Sequence, residues 1–425
     1  MARMLIANRL SYLLPVAVLL SAALVDMPRR IELPSGSLLG ILTFAQFAAV
    51  LVLWAWKASL PRRLWFMLPL LALLAYAGVS LLWSPLRQEG LQNVTVLGTF
   101  TLLVLLCARE VRADARIATA VSRVIEVTAL LTTLAFVVVL VRAGGHAGSD
   151  TLIGARSFGL FAIVGIACQL SRWQSGKASG LWLAILMTGA SFMSMSRMAF
   201  VSAALLFPLA AVLAGGRGQA VRAVLVTVLM GSALTAGVFF YEPMRSRFFA
   251  EDASLQVGGL AVNTSGRANV WREVSSSFAQ APWLGQGVGS ATIYAQAYGI
   301  GHPHNDYLRV AHDTGLLGAS LLVGGLLLIL RHLWRQLRRE TDADARAMHL
   351  AALLATAGVA ITMVTDNSLS YIFVMAPLGI LVGCSCGLAA LCRAGRAGGE
   401  SVPAGGPRWT VRSPQKRGDQ CELCF

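Results

Sequence analysis

A chain of 425 residues that is 56% hydrophobic and only 13% charged, with a mean hydropathy of +0.67, is too apolar for a water-soluble protein of this size and belongs in a membrane. The formal net charge of +15 does not call for nucleic acid, because a multi-pass membrane protein gathers Lys and Arg on its cytoplasmic side anyway. None of the seven cysteines falls in the one long polar loop, which argues against a disulfide framework.

At about 20 apolar residues per crossing, the chain reads as an all-α polytopic membrane protein of about twelve transmembrane helices. Their centres fall near Val18, Phe47, Leu73, Phe100, Leu131, Ile166, Met187, Phe207, Leu229, Leu322, Ala355 and Leu381. Arg3 and Arg9 precede the first apolar run, which is long enough to be a retained span rather than a cleaved signal. Residues 1–240 hold helices one to nine and residues 307–392 hold helices ten to twelve. Arg123 and Glu126 sit three apart in the fifth span and are expected to pair with each other in a structural role. Residues 393–425, rich in Gly and Pro, are expected to form a disordered cytoplasmic tail, whose Cys421-Glu422-Leu423-Cys424 ending reads as free thiols. Most of the 35 basic residues lie on one side of this arrangement, which predicts that both termini are cytoplasmic.

Residues 241–306 make the one long connection, expected on the outer face and built around short helices. Thr264-Ser265-Gly266 offers a helix start, and Val270, Trp271, Val274 and Phe278 recur at helical spacing. Pro282, Gly285, Gly287 and Gly289 then end that helix in a turn. An amphipathic helix lying against the membrane fits the pattern.

The same region carries the candidate chemistry. Three of the six histidines, His302, His304 and His312, fall just before the apolar run that starts near Leu316. Pro303 extends the backbone between the first two, and Asn305 or Asp306 can cap a helix beginning at Tyr307. His304 is the candidate general base, because imidazole titrates near neutral pH; the alternative is that His304 and Asn305 only cap the helix. Arg197 and Arg267 stand on the outer side, against the charge bias, and a guanidinium matches phosphate with paired hydrogen bonds. The alternative is contact with ordinary lipid headgroups. Arg272, Arg245, Arg247 and Arg309 are weaker candidates, and Arg309 in particular is expected at the headgroups. Asp366 and Asn367, in the tight outer turn between the last two spans, read either as substrate contacts or as the cap of that turn, and the cap is preferred.

Three motifs in order resemble the O-antigen ligase and polymerase family of bacterial membrane glycosyltransferases. They are Ser194-Met195-Ser196-Arg197; Ser265-Gly266-Arg267 through Trp271 to Pro282-Trp283-Leu284-Gly285-Gln286-Gly287-Val288-Gly289; and His304-Asn305 followed after nine residues by Gly315-Leu316-Leu317-Gly318. The resemblance implies that Arg197 and Arg267 hold the diphosphate of an undecaprenyl-diphosphate-linked glycan and that His304 is the base on the acceptor hydroxyl. His302, Asn305, Arg272, Gly315 and Gly318 would support them, and the transfer would invert the anomeric carbon without metal or cofactor. It also implies a bacterial inner-membrane protein whose active site faces the periplasm. Its partners would be the donor, an acceptor and membrane lipids. The acceptor stays open between lipid A-core for a ligase, which is preferred, and another lipid-linked repeat unit for a polymerase. Protein-glycosylating members usually carry a further C-terminal region. From a different class, a transporter would show internal repeats and midplane charges, and none is found; a non-catalytic scaffold would tolerate loss of His304.

Overall fold

The computed structural model describes residues 32–33, 36–56, 65–144, 154–214, 217–249, 255–257 and 260–397. All eleven expected spans within these residues are helices, and each contains its predicted centre. They are α1 (Leu38–Trp56), α2 (Leu68–Ser80), α3 (Arg87–Ala113), α4 (Arg116–Arg142), α5 (Ala155–Gln174), α6 (Ala178–Met193), α7 (Arg197–Ala214) and α8 (Arg217–Phe240), then α12 (Asp306–Arg339), α13 (Ala343–Thr362) and α14 (Ile372–Ala397). The span near Val18 and the two tail cysteines lie outside the described residues, and α14 runs five residues past the expected boundary at 392. Among the described residues, five helices are long and apolar enough to cross a membrane by themselves: α3, α4, α12, α13 and most of α14. The chain is a membrane protein by that measure.

Helix ends follow local chemistry. Pro69 opens α2, where a missing N–H costs nothing, and the Asp342 side chain accepts the amides of Asp344 and Ala345 to start α13. At the centre, α14 lies along α3 with Gly379, Gly383 and Gly387 on the contact. A methyl group at these positions would stand 2.9 Å from the Phe100 carbonyl, 2.7 Å from Cys107 Cβ and 2.7 Å from Val111 Cβ. The two backbones therefore approach as closely as glycine allows, as helices do where lipid gives no hydrophobic drive to associate. At the periphery α4 and α8 expose Val127, Leu131, Val138, Val224, Leu225 and Leu229, a surface suited to lipid.

One expected pairing is corrected. Glu126 is buried and forms its ion pair with Arg172 of α5, with Ser122 as a second partner, while Arg123 is exposed. A buried carboxylate takes the partner across the helix interface, which spacing along one helix cannot reveal.

The long connection contains α9 (Glu242–Phe249), a hairpin of β3 (Leu255–Val257) and β4 (Leu260–Val262), α10 (Arg267–Phe278) and α11 (Ala291–Ala297). A second short hairpin pairs β1 (Glu32–Leu33) with β2 (Gly36–Ser37) ahead of α1. The apolar face of α10 does not lie on lipid as expected. Val270 and Val274 pack with Ala291 and Ala295 of α11, flanked by Tyr294, Ile300 and Leu308, in a small core of their own.

This layer of short helices is fastened to α12 at a break in the helix. Gly315 has φ 66° and ψ −172°, and a side chain there would meet the Trp283 carbonyl at 2.2 Å. The break frees the carbonyls of His312 and Asp313, which accept the amides of Gln286 and Gly287 at 3.0 and 2.9 Å, while the Leu316 amide donates to Pro282. Gly318 lets the helix resume against Thr314. The Asp313 carboxylate accepts the amides of Gly289 and Ala291, and His312 sits between Ser290 and Ser277, fully buried. The glycine-rich turn and the paired glycines after His304 thus form one joint, and His312 belongs to it.

Candidate active site

His304 stands at the meeting point of α5, α10, α12 and the turn between α13 and α14. Its backbone is left-handed, with φ 53°, and two bonds hold the turn: the Trp271 indole N–H donates to the Pro303 carbonyl at 2.7 Å, and the Asn305 side chain caps α12 by accepting the Leu308 amide. Asn305 is therefore a cap, and His304 is left to point elsewhere. The imidazole is 8% exposed.

Both ring nitrogens are engaged. The Arg156 guanidinium lies 3.1 Å from Nε2; the Asn367 amide lies 2.8 Å and an Asp366 carboxylate oxygen 3.6 Å from Nδ1. A guanidinium can only donate, so Nε2 must offer its lone pair. The proton of the neutral ring then sits on Nδ1, on the side of the Asp366 carboxylate oxygen; the Asn367 Nδ2 group beside it can only donate and is not the acceptor of that proton. That tautomer aims a basic lone pair at the guanidinium.

The charges agree with it. Burial pushes the imidazole below its ordinary value; the hydrogen bond with Asp366 opposes this, while Arg156 and Arg267 add to it. The ring is neutral at neutral pH. Burial alone would raise the Asp366 carboxyl, but His304, Arg156 and Arg267 outweigh it and hold the group below the usual range. Arg267 is pushed down to about 10 by burial and by the cations Arg156 and Arg197, with Asp366 opposing, so it stays charged.

The turn carrying Asp366 and Asn367 is itself anchored by buried groups. The Asp306 amide donates to the Met363 carbonyl, its carboxylate accepts the Leu369 amide at 2.8 Å, and Arg309 binds the other carboxylate oxygen at 2.7 Å. Arg309 is only 3% exposed, which corrects the expectation that it reaches the headgroups: a carboxylate one helical turn earlier takes it inward. Asp366 and Asn367 likewise do more than cap a turn, since both face His304.

The two expected arginines come to the same place. Arg267 donates to the Thr365 carbonyl at 2.8 Å, next to Asp366. Arg197 donates to the Asn263 carbonyl and to Ser265 Oγ, just before Arg267, and lies over the Phe248 ring. The other candidates are elsewhere. His302 faces Glu89 at 3.3 Å, Arg272 is exposed and bonds to Asn269 of its own helix, and Arg245 pairs with Glu242 on the surface. Among the described residues, no group of three or more His, Cys, Asp or Glu is placed to hold a metal ion.

Residues 182–323 match the family model described as O-antigen ligase. The chain carries an O-antigen ligase family domain. No curated protein matches the chain. The domain spans Arg197, Arg267, Trp271, His304, Gly315 and Gly318, so each motif read from the sequence lies within it. Arg156, Asp366 and Asn367 lie outside it and complete the same site from helices on either side. Arg156 was not among the sequence candidates although the rule that singled out Arg197 applies equally to it: an arginine at the end of a span that the charge bias disfavours needs a reason to be there.

Proposed function

We propose that the protein is an inner-membrane glycosyltransferase that moves a glycan from undecaprenyl diphosphate to an acceptor hydroxyl at the periplasmic face, as an O-antigen ligase with lipid A-core as acceptor. The chain would cross the membrane twelve times with both termini in the cytoplasm. The observation that carries this reading is the meeting of a neutral, buried His304 with Arg156, Arg267 and, behind them, Arg197. A lone pair beside a cluster of guanidiniums suits a reaction in which one group loses a proton while another leaves as an anion.

In that reaction the acceptor hydroxyl gives its proton to His304 Nε2 as its oxygen bonds to the anomeric carbon. The bond from that carbon to the phosphate oxygen breaks, and its electron pair leaves on the diphosphate. Arg197 and Arg267 stabilise the departing charge, a task that needs no divalent ion when fixed cations are in place. Asp366 stabilises the imidazolium that forms, and a single displacement inverts the anomeric configuration.

The test is a strain deleted for this gene and complemented, at matched membrane levels, with wild type, His304→Ala, Arg197→Ala or Arg267→Ala. Surface and lipid-linked polysaccharide are separated by size. The expected outcome for each variant is full-length chains retained on the lipid carrier and bare lipid A-core. Accumulation of single repeat units would make the protein a polymerase, and wild-type behaviour would remove the catalytic assignment.

A further inference from the structure

We infer that Arg156 is a third ligand of the donor diphosphate, and that its transfer from His304 to the phosphate is the event that frees the base. This deepens the proposed function and rests on its diphosphate donor.

Three observations lead to it. First, the atom that must take the acceptor's proton is the atom Arg156 occupies: the guanidinium stands 3.1 Å from Nε2. A lone pair held by a cation cannot accept a proton, so without donor the base is blocked. Second, the three arginines are held differently. Arg267 and Arg197 are fixed to the backbone carbonyls of Thr365 and Asn263, whereas among the described residues the partners of Arg156 are His304 and, at 3.6 Å, Asp366. The Arg156 side chain is 41% exposed, against 3% for Asp366. With no backbone carbonyl among these partners, it has the loosest tether of the three and room to move. Third, Arg156 and Arg197 both press on Arg267 with like charge, a repulsion that a diphosphate between them would relieve. Such a ligand attracts Arg156 more strongly than a neutral imidazole does.

The outcome is an order of events: the donor binds, Arg156 swings to it, and only then can the acceptor hydroxyl approach Nε2. The groups facing His304 are Arg156 from α5, Arg267 from α10, and Asp366 and Asn367 from the turn after α13, with Arg197 behind Arg267.

The experiment uses the full-length protein in lipid nanodiscs, lipid-linked glycan extracted from the deletion strain as donor, and membranes of that strain as acceptor. Transfer by wild type, Arg156→Gln and Arg156→Lys is followed from about pH 5 to 8, where histidine titrates. In Arg156→Gln the KM for donor should rise roughly tenfold or more, the worth of one charged hydrogen bond. The acidic limb of kcat/KM, which reports the free enzyme, should move up by about one pH unit as a cation leaves the imidazole. The acidic limb of kcat, which reports the donor complex, should stay in place, because there Arg156 has already left. Arg156→Lys should return the kcat/KM limb toward wild type, and it carries the comparison if the Gln variant melts early. An unchanged donor KM would overturn the phosphate contact. Equal shifts of both limbs would mean that Arg156 stays on His304 through turnover, and no shift in either would mean it does not hold the ring. Full transfer by His304→Ala would instead overturn the proposed function itself.

Discussion

His304 occupies a backbone conformation that only a few per cent of non-glycine residues adopt, and Trp271, Asn305 and the Asp306 anchor surround it on three sides. Strain kept in place by so many bonds fixes where the imidazole points, and Asp366 then fixes its tautomer. Asp366→Asn removes the one carboxylate that favours the charged ring and leaves Arg156 and Arg267 to disfavour it. His304 should become a weaker base, with the transfer rate falling on the order of 10- to 100-fold. Its folded pKa is already depressed and falls further, so the acidic limb of kcat/KM should move to lower pH; the profile measures both effects. At this scale the sequence told much through residue type. His304, Arg197 and Arg267 stand out because each is unusual where it is. Asp366 and Asn367 do not, since a short polar turn between two spans is ordinary, and 62 residues of chain hide the fact that it faces His304. Arg309 was misread for a related reason: exposure cannot be told from the position of a charge along a helix.

The broken helix α12 joins two functions in one element. Its first turns carry the cap beside His304, and its long second part is one of the spans. Gly315→Ala should cost on the order of 1–3 kcal/mol, because an alanine would be forced to positive φ while its methyl group presses on the Trp283 carbonyl. A lowered melting temperature in detergent, with donor and acceptor affinity falling together as the layer of short helices loosens, is the expected result. The repeated glycines of the turn and those after His304 were visible as a motif, but that they lock into one another was not: nothing in a spacing says that Gly285 lies over the peptide of Asp313. Periodicity did place α10 correctly, and failed only in naming what its apolar face meets. A stripe of valines packs equally well on lipid or on the alanines of α11.

At the scale of the molecule, long apolar runs fix where helices begin and end with little ambiguity, since each must satisfy its own backbone within the hydrocarbon. Their neighbours are fixed by small residues instead, which is why the eleven helices were legible and their arrangement was not. The proposed orientation is open to labelling. A cysteine placed at the exposed Ser275 should react with a membrane-impermeant maleimide in cells whose outer membrane alone is opened, whereas the native Cys421 and Cys424 should react only after the inner membrane is broken. Reaction of Cys421 and Cys424 under the first condition would overturn the cytoplasmic C-terminus, and reaction of Ser275→Cys only under the second would overturn the outward-facing loop. The contact between α3 and α14 has a further consequence. Two backbones pressed together along three glycines are expected to act as a strut, which predicts turnover without the rocking that a carrier needs. Cys107 and Cys384 are both free and buried, and they neighbour each other across it. Joining them with a membrane-permeant oxidant should leave the turnover rate as it was, and a rate that collapses would mean that the middle of the molecule breathes with every glycan it passes on.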